Sequence, residues 1–326
     1  MSGAKAIERP TQAELEAAAG RLRGIALHTP LVPLAVERAS ASRERGSSIW
    51  LKPEILQPAG SFKIRGIFHA VSRLSPAERA RGLSTVSAGN TAKALAWCGR
   101  HFGVPARSLM PETAPRAKID AVRALGGTPV LVSMEEVFRF LREHLWEREP
   151  YAFIHPWTNR DVLMGHGSLG LEILADMPDV ESVYVPVGGG GLLASVGSAL
   201  AALAPSVRVV AVEPAGCPSL HAAIQAGEPV TVACDTMCDG VAVPYVTSEM
   251  FPLLRELASE VALVSEDEVR AAIRLLAGAN HLIAEGSGAL ATAAALRVPP
   301  EERGKSVCLV TGGSIDLAKL AAVLAS

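Results

Sequence analysis

Aromatic side chains make up only 4% of the 326 residues, Lys and Arg form no long run, and no apolar stretch approaches about 18 residues. A nucleic-acid groove needs clustered cations and stacking rings, so the first two deficits argue against one. The third argues against a membrane-spanning helix. Charge of either sign is not in excess: 31 Lys+Arg against 33 Asp+Glu leaves −2. The N-terminal MSGAKAIERPTQAE lacks an apolar core followed by a small-residue cleavage site, so a cytoplasmic protein is expected. Cysteine is scarce as well. Cys98, Cys217, Cys234, Cys238 and Cys308 are odd in number and scattered, and the single C-x3-C pair has no second half, which predicts reduced thiols rather than disulfides or zinc. Apolar residues are plentiful at 49%, enough for one or two packed domains and against a disordered chain. The expected partner is a small molecule.

Helix signals alternate with short β-branched runs, the pattern of an α/β protein with a largely parallel sheet. Thr11 with Glu14 and Ser75 with Pro76 and Glu78 read as capped helix starts. From Leu83 the order is strand LSTVS, loop AGN, helix TAKALAWCGRHFG, strand RSLMP, helix PRAKIDAVRALGG, strand TPVLV and helix MEEVFRFLREHLWERE. A second series follows: strand SVYVPV, a glycine loop, helix LLASVGSALAALA, strand RVVAVEP and a helix capped by Ser265 with Glu268. The change of pattern near Pro150 to Pro156 marks a candidate boundary.

Four segments can carry chemistry. Gly188, Gly189, Gly190, Gly191 and Leu192 lie between a strand and a helix, where converging N–H groups and the helix dipole suit a phosphate. Gly189, Gly191 and Ala194 also satisfy a dinucleotide fingerprint, with Glu213 placed to meet a ribose. A Walker loop is excluded, because Pro299 stands where Gly304-Lys305-Ser306 would need its upstream glycine. Lys63, one of only seven lysines, follows Pro58, Gly60 and Ser61, which break the chain and offer a cap. A lysine in a first helical turn opposes the dipole, and a depressed pKa suits attack on a carbonyl. Ser87-Ala88-Gly89-Asn90-Thr91 is a strand-to-helix loop able to hold a carboxylate, and Thr311-Gly312-Gly313-Ser314 follows the strand SVCLV.

In this order P-A-G-S-F-K-I-R-G, S-A-G-N-T, G-G-G-G-L, D-G-V-A-V (Asp239 to Val243), E-G-S-G-A (Glu285 to Ala289) and T-G-G-S resemble the fold-type II pyridoxal-phosphate enzymes, most closely the serine/threonine dehydratase and serine racemase branch. The resemblance covers about residues 30 to 320. It implies a two-domain, tryptophan synthase β-like α/β fold with mostly parallel sheets and flanking helices. Residues 80–153 would form a small mobile domain, and residues 1–79 with 154–326 a large cofactor-binding one. Pyridoxal 5'-phosphate would join Lys63 as a Schiff base. Gly188 to Gly191 and Leu192 would hold its phosphate, Phe62 would pack by its ring, Asn90 would meet its hydroxyl and Thr311 its pyridine nitrogen. Gly240 and Glu285 would complete the cofactor site, Glu285 either catalytic or orienting the ring. Ser87, Ala88, Gly89, Asn90 and Thr91 would bind the substrate carboxylate. The implied reaction is β-elimination from an L-3-hydroxy amino acid, giving a 2-oxo acid and ammonia, in a homodimer. Thr311 is a neutral hydroxyl and would not keep the pyridine nitrogen protonated, which disfavours transamination.

The departures carry expectations of their own. The branch usually reads S-S-G-N-H-G, and here Ala88, Thr91 and Ala92 stand at the second serine, the histidine and the last glycine. That second serine serves racemases as the opposite-face acid/base, so little racemisation is expected, and the substrate can be another 3-hydroxy amino acid, such as 3-hydroxyaspartate or phenylserine. Relatives hold a divalent cation by a Glu and, six residues on, an Asp; here Glu213 is followed by Ser219, and no metal is expected. His166, His155 to Thr158 and Val241 to Pro244 are further candidates near the substrate. No appended regulatory domain is expected after the T-G-G-S helix. A nicotinamide oxidoreductase and a non-catalytic cofactor-binding protein are the alternatives of other classes; the first leaves Lys63 and Thr311 without a role.

Overall fold

The computed structural model describes residues 6–35 and 48–325. Lys5 and the start of the segment read for an export signal lie outside them. The first part of the chain holds α1 (Gln12–Arg21), β1 (Val32–Pro33), β2 (Ile49–Pro53), α2 (Lys63–Arg73) and α3 (Pro76–Ala80). Next come β3 (Leu83–Val86), α4 (Asn90–Phe102), β4 (Ala106–Pro111), α5 (Arg116–Ala124), β5 (Thr128–Val132), α6 (Met134–Arg142) and β6 (Ala152–Phe153). The remainder is α7 (Arg160–Asp176), β7 (Ser182–Pro186), α8 (Gly191–Leu203), β8 (Arg208–Pro214), α9 (Ser219–Ala226), α10 (Phe251–Leu257) and β9 (Glu260–Val264). It closes with α11 (Glu266–Asn280), α12 (Gly286–Leu296), α13 (Pro300–Arg303), β10 (Ser306–Val310) and α14 (Leu317–Ala325).

The strands form two sheets. One has the order β1-β2-β10-β7-β8-β9, parallel except for β1 against β2, and the other is the all-parallel β5-β4-β3-β6. The mostly parallel α/β expectation is met. The three capped starts also hold, for Thr11, Ser75 and Ser265 each exchange hydrogen bonds with the Glu three residues on.

α8 and α12 are buried on every face, from Gly191 to Leu200 and from Gly286 to Ala295. A helix apolar all round belongs inside a core rather than at a surface, and small residues let these two lie against the strands. α2 crosses α7 closely for a similar reason. A Cβ on Gly66 would lie 2.5 Å from His166 Cε1, and one on Gly165 would lie 2.5 Å from the Arg65 carbonyl. Arg65 is buried and forks between Glu54 (Nε to Oε2, 2.7 Å) and Glu172 (Nη1 to Oε1, 2.7 Å), and Lys52 closes on Glu172 at 2.9 Å. A buried network with every donor engaged holds α2 rigidly, and removing one member would strand the others.

Three expectations are corrected. Cys217 and Cys234 form a disulfide, whereas Cys98, Cys238 and Cys308 are buried thiols. The two partners meet because the chain folds back after α9 and the Asp235 N–H donates to the Gly216 carbonyl at 2.9 Å, a proximity that spacing cannot show. The helix read through residue 149 ends at Arg142: His144 takes a left-handed φ of 52° and a short 3-10 turn, Leu145–Arg148, replaces the last turns. Ser61 does not cap α2. Its hydroxyl has no partner among the described residues, and its backbone bridges to Gly312 instead.

Candidate active site

Four helices begin at one place. α2 starts at Lys63, α4 at Asn90, α8 at Gly191 and α12 at Gly286; α4 and α8 directly follow β3 and β7, α2 follows β2 through a 3-10 turn, and α12 follows the loop after α11. The first N–H groups of a helix have no intrahelical acceptor, so four such ends make a strongly anion-seeking hollow. The result is a cavity of about 280 Å³. The residues expected to bind cofactor or substrate all reach its wall: Phe62, Lys63, Ser87, Ala88, Gly89, Asn90, Thr91, Gly188, Gly189, Gly190, Gly191, Leu192, Gly240, Glu285 and Thr311.

Lys63 is fixed from both sides. The Phe62 N–H donates to the Thr311 carbonyl at 3.1 Å, and the Arg65 network stands two residues on. The Lys63 ammonium position lies 4.8 Å from the Phe62 ring centroid and makes no hydrogen bond or ion pair with any described residue. Burial pulls its pKa down to about 8, against the pull of the nearby Glu285 carboxylate. A neutral amine is thus within reach at physiological pH.

The glycine loop is shaped by tight packing. A Cβ on Gly189 would lie 2.4 Å from Trp157 Cδ2, and Gly190, at φ 86°, has Leu254 Cδ1 2.4 Å from where its Cβ would be. Only glycine fits that left-handed position without strain. The loop therefore sits with its amides at the head of α8, ready for a phosphate.

Glu285 is the N-cap residue of α12 and lies at the centre of a polar cluster. It accepts from the Asn90 amide through Oε1 and from Lys118 Nζ through Oε2 at 3.0 Å. Lys118 also donates to both oxygens of Asp239, at 2.9 and 2.8 Å. Gly312 leaves room for the Glu285 carboxylate, since a Cβ there would lie 2.5 Å from Oε1. Among the described residues, Lys63, Lys118, Asp239 and Glu285 are the only charged side chains on the cavity wall, so their formal charges cancel. On the four-stranded side α6 presents an apolar row, Met134, Val137, Phe138 and Leu141, with Thr113 as a further hydroxyl after β4.

A polar cofactor fits these residues. Asn90 Oδ1 and Ser287 Oγ, both in wall residues, are buried without a partner among the described residues, and such atoms are costly unless something meets them. Thr311 Oγ1, within 3.3 Å of the Ser287 carbonyl, adds a neutral hydroxyl.

The further candidates divide: Pro156, Trp157, Val241, Ala242 and Val243 line the cavity, whereas His155, Thr158, Pro244, His166 and Glu213 do not. His166 is buried under Phe62 and accepts from the Gly66 N–H through Nδ1 at 3.0 Å; burial and the neighbouring Lys63 hold its pKa well below the ordinary value. It ties α7 to α2 and does not reach the cavity wall. His155 accepts from the Thr158 N–H, while Pro156 and Trp157 beside it reach the cavity wall. Glu213 is outside the cavity. Its oxygens accept from the Leu220 and His221 N–H groups at 2.7 and 2.9 Å and from the Ser219 hydroxyl, so it caps α9. Lys118 and the α6 wall were not found from the sequence. Only a lysine on the polar side of a helix and an ordinary amphipathic pattern marked them.

Helix ends, an amine whose pKa burial lowers to about 8 and a glycine cradle define an α/β enzyme that takes an anionic, carbonyl-bearing cofactor. The chain belongs to the pyridoxal-phosphate dependent enzymes, whose family description matches residues 23–312, and its cofactor is pyridoxal phosphate. It is 38% identical over 290 residues to the L-threonine ammonia-lyase of Geobacter sulfurreducens, covering 87% of this chain and 71% of that one. Among solved structures it resembles the processed threonine deaminase isoform 2 of Solanum lycopersicum, with a TM-score of 0.83, 33% identity and 99% and 97% of the two chains covered. Maize serine racemase is also similar, with a TM-score of 0.86, 27% identity and 98% of each chain covered.

Proposed function

We propose that the protein is an ammonia-lyase that removes the β-hydroxyl and amino groups of L-threonine or L-serine, releasing a 2-oxo acid and ammonia. One observation carries the reading: the buried, unpaired Lys63 amine shares a cavity with both the glycine cradle and the Ser87 to Thr91 loop. Bound pyridoxal phosphate supplies an aldehyde that condenses with amines and an electron-withdrawing ring. The chain supplies the rest. The α8 amides and Gly188 to Gly191 would hold the phosphate, Phe62 and Gly240 would lie beside the ring, and Asn90 and Thr311 would meet its polar groups. The head of α4 with Ser87 to Thr91 would bind the substrate carboxylate and orient the α-carbon toward Lys63 Nζ, which as a free amine would take the α-proton.

The wall also speaks to the side chain of the substrate. Met134, Val137, Phe138 and Leu141 present carbon, and both wall lysines are committed, one to the cofactor and one to two carboxylates. This supports 3-hydroxy amino acids with an apolar β-substituent, up to phenylserine, over 3-hydroxyaspartate, whose second carboxylate would face Asp239 without a free cation. A panel of L-3-hydroxy amino acids, assayed for 2-oxo acid and ammonia, tests both points: 3-hydroxyaspartate outpacing threonine would overturn the side-chain reading.

Residues 80–153 are read as a small domain that closes over the cofactor, with 1–79 and 154–326 as the large one. Three further parts of this reading concern setting. The protein works as a homodimer, supported by the exposed Leu56, Ile283 and Leu317 on segments that come together about Gly313. Its compartment is the cytoplasm, where free amino acids and the cofactor occur together. Among the described residues no helix is long and apolar enough to cross a membrane.

A further inference from the structure

We propose that Lys118 is a positioning residue for this reaction, a cationic tie from α5 that holds the carboxylate-binding loop against Asp239 and Glu285 and sets the charge around Lys63. The inference rests on the function proposed above. Lys118 is 4% exposed, and its three N–H···O contacts all leave the four-stranded side for residues that follow the six-stranded one: two to Asp239 and one to Glu285. Its stem runs through a slot made by Gly89, where a Cβ would lie 2.5 Å from Lys118 Cδ. The loop therefore cannot drift without displacing the lysine, and the lysine cannot reach both acids unless the loop keeps its shape. Gly89 has φ −177°, an extended backbone open to any residue, so the slot rather than the backbone calls for glycine.

Lys118 is a fixed charge and not a proton shuttle. Burial works against its proton, but Glu285 and Asp239 outweigh burial and hold its pKa above the ordinary value. The groups that face Glu285 are Lys63, Lys93, Lys118, the Cys238 thiol and, across Lys118, Asp239. Without the Lys118 charge, two carboxylates would share one corner with Lys63 and Lys93 as the remaining cations. They would then hold the Lys63 proton more tightly, and the neutral amine would form only at higher pH.

The test uses the full chain stripped of cofactor and recombined with pyridoxal phosphate. The rate of covalent capture is followed against pH by visible absorbance, and steady-state kinetics with L-threonine are measured beside it. For Lys118→Met the capture midpoint is expected to rise by about one pH unit, and KM about tenfold with a smaller fall in kcat. Gly89→Ala keeps the lysine but pushes its stem aside, so it should shift both in the same direction even if Lys118→Met fails to fold. Asp239→Asn removes a carboxylate, so it should lower the midpoint slightly while raising KM less than Lys118→Met does; added to Lys118→Met it should pull the midpoint back toward wild type and change KM by less than twofold. An unchanged midpoint and KM in both Lys118→Met and Gly89→Ala, or additive effects on KM in the double variant, would overturn the tie. A wild type that captures no cofactor would overturn the underlying function instead.

Discussion

The two walls of the cavity do their work by different means. The six-stranded side offers backbone: amides at the heads of α8 and α12, a glycine loop pressed between Trp157 and Leu254, and a lysine whose helix is anchored by Arg65, Glu54 and Glu172. The four-stranded side offers side chains: Asn90, Lys118 and the apolar row of α6. Its outer strand β5 is poorly covered, with no residue fully buried, whereas β7 and β10 are buried throughout. A phosphate is the same in every substrate complex and suits a rigid backbone cradle. A substrate that must enter and leave suits a wall held by reversible ion pairs and thin packing.

Breaking the rigid wall should cost most. Lys63→Ala is expected to abolish covalent cofactor capture and lower 2-oxo acid formation by at least about 10⁴-fold, read by absorbance and product assay. Gly190→Ala forces a side chain into a left-handed position against Leu254, so cofactor affinity should fall about 10- to 100-fold, with a lower Tm, both followed by tryptophan fluorescence. A weaker effect sharpens the comparison by pH. Because folding lowers the Lys63 pKa to about 8, the neutral fraction, and with it the capture rate in wild type, should climb about tenfold per pH unit below 8 and level off above it. The sign for stability is the same: between about 8 and the unfolded value of 10.5, the unfolded apo-protein holds a proton that the folded one has lost, so this group adds stability as pH rises. On the adjustable wall, Ala88→Ser should introduce slow exchange between L- and D-serine that wild type lacks, measured by chiral chromatography. Fast exchange in wild type would remove the contrast. The smallest effect lies outside the site, where Ser75→Ala should cost about 1 kcal/mol through loss of the α3 cap, measured by denaturant unfolding.

The backbone wall was the legible one. The glycine run, Lys63 after its Pro-Gly-Ser break and the strand-to-helix loop at Ser87 to Thr91 are written in contiguous residues, and the run, the lysine and the loop all lie on the cavity wall. What escaped was long-range. Lys118 meets Glu285 across 167 residues and Arg65 meets Glu172 across 107, and nothing in either neighbourhood announces its partner. The same holds for Cys217 and Cys234, brought together by the path of the chain after α9, and for Ser61, whose bridge to Gly312 outcompeted a cap.

The disulfide has a consequence at the bench. No Lys or Arg occurs between Arg208 and Arg255, so trypsin releases Cys217, Cys234 and Cys238 on a single peptide. A mass spectrometrist seeking two joined fragments would find none; the bond instead makes one long peptide lighter by a pair of hydrogens. Alkylation of the denatured chain should label the three thiols before reduction and all five cysteines after it.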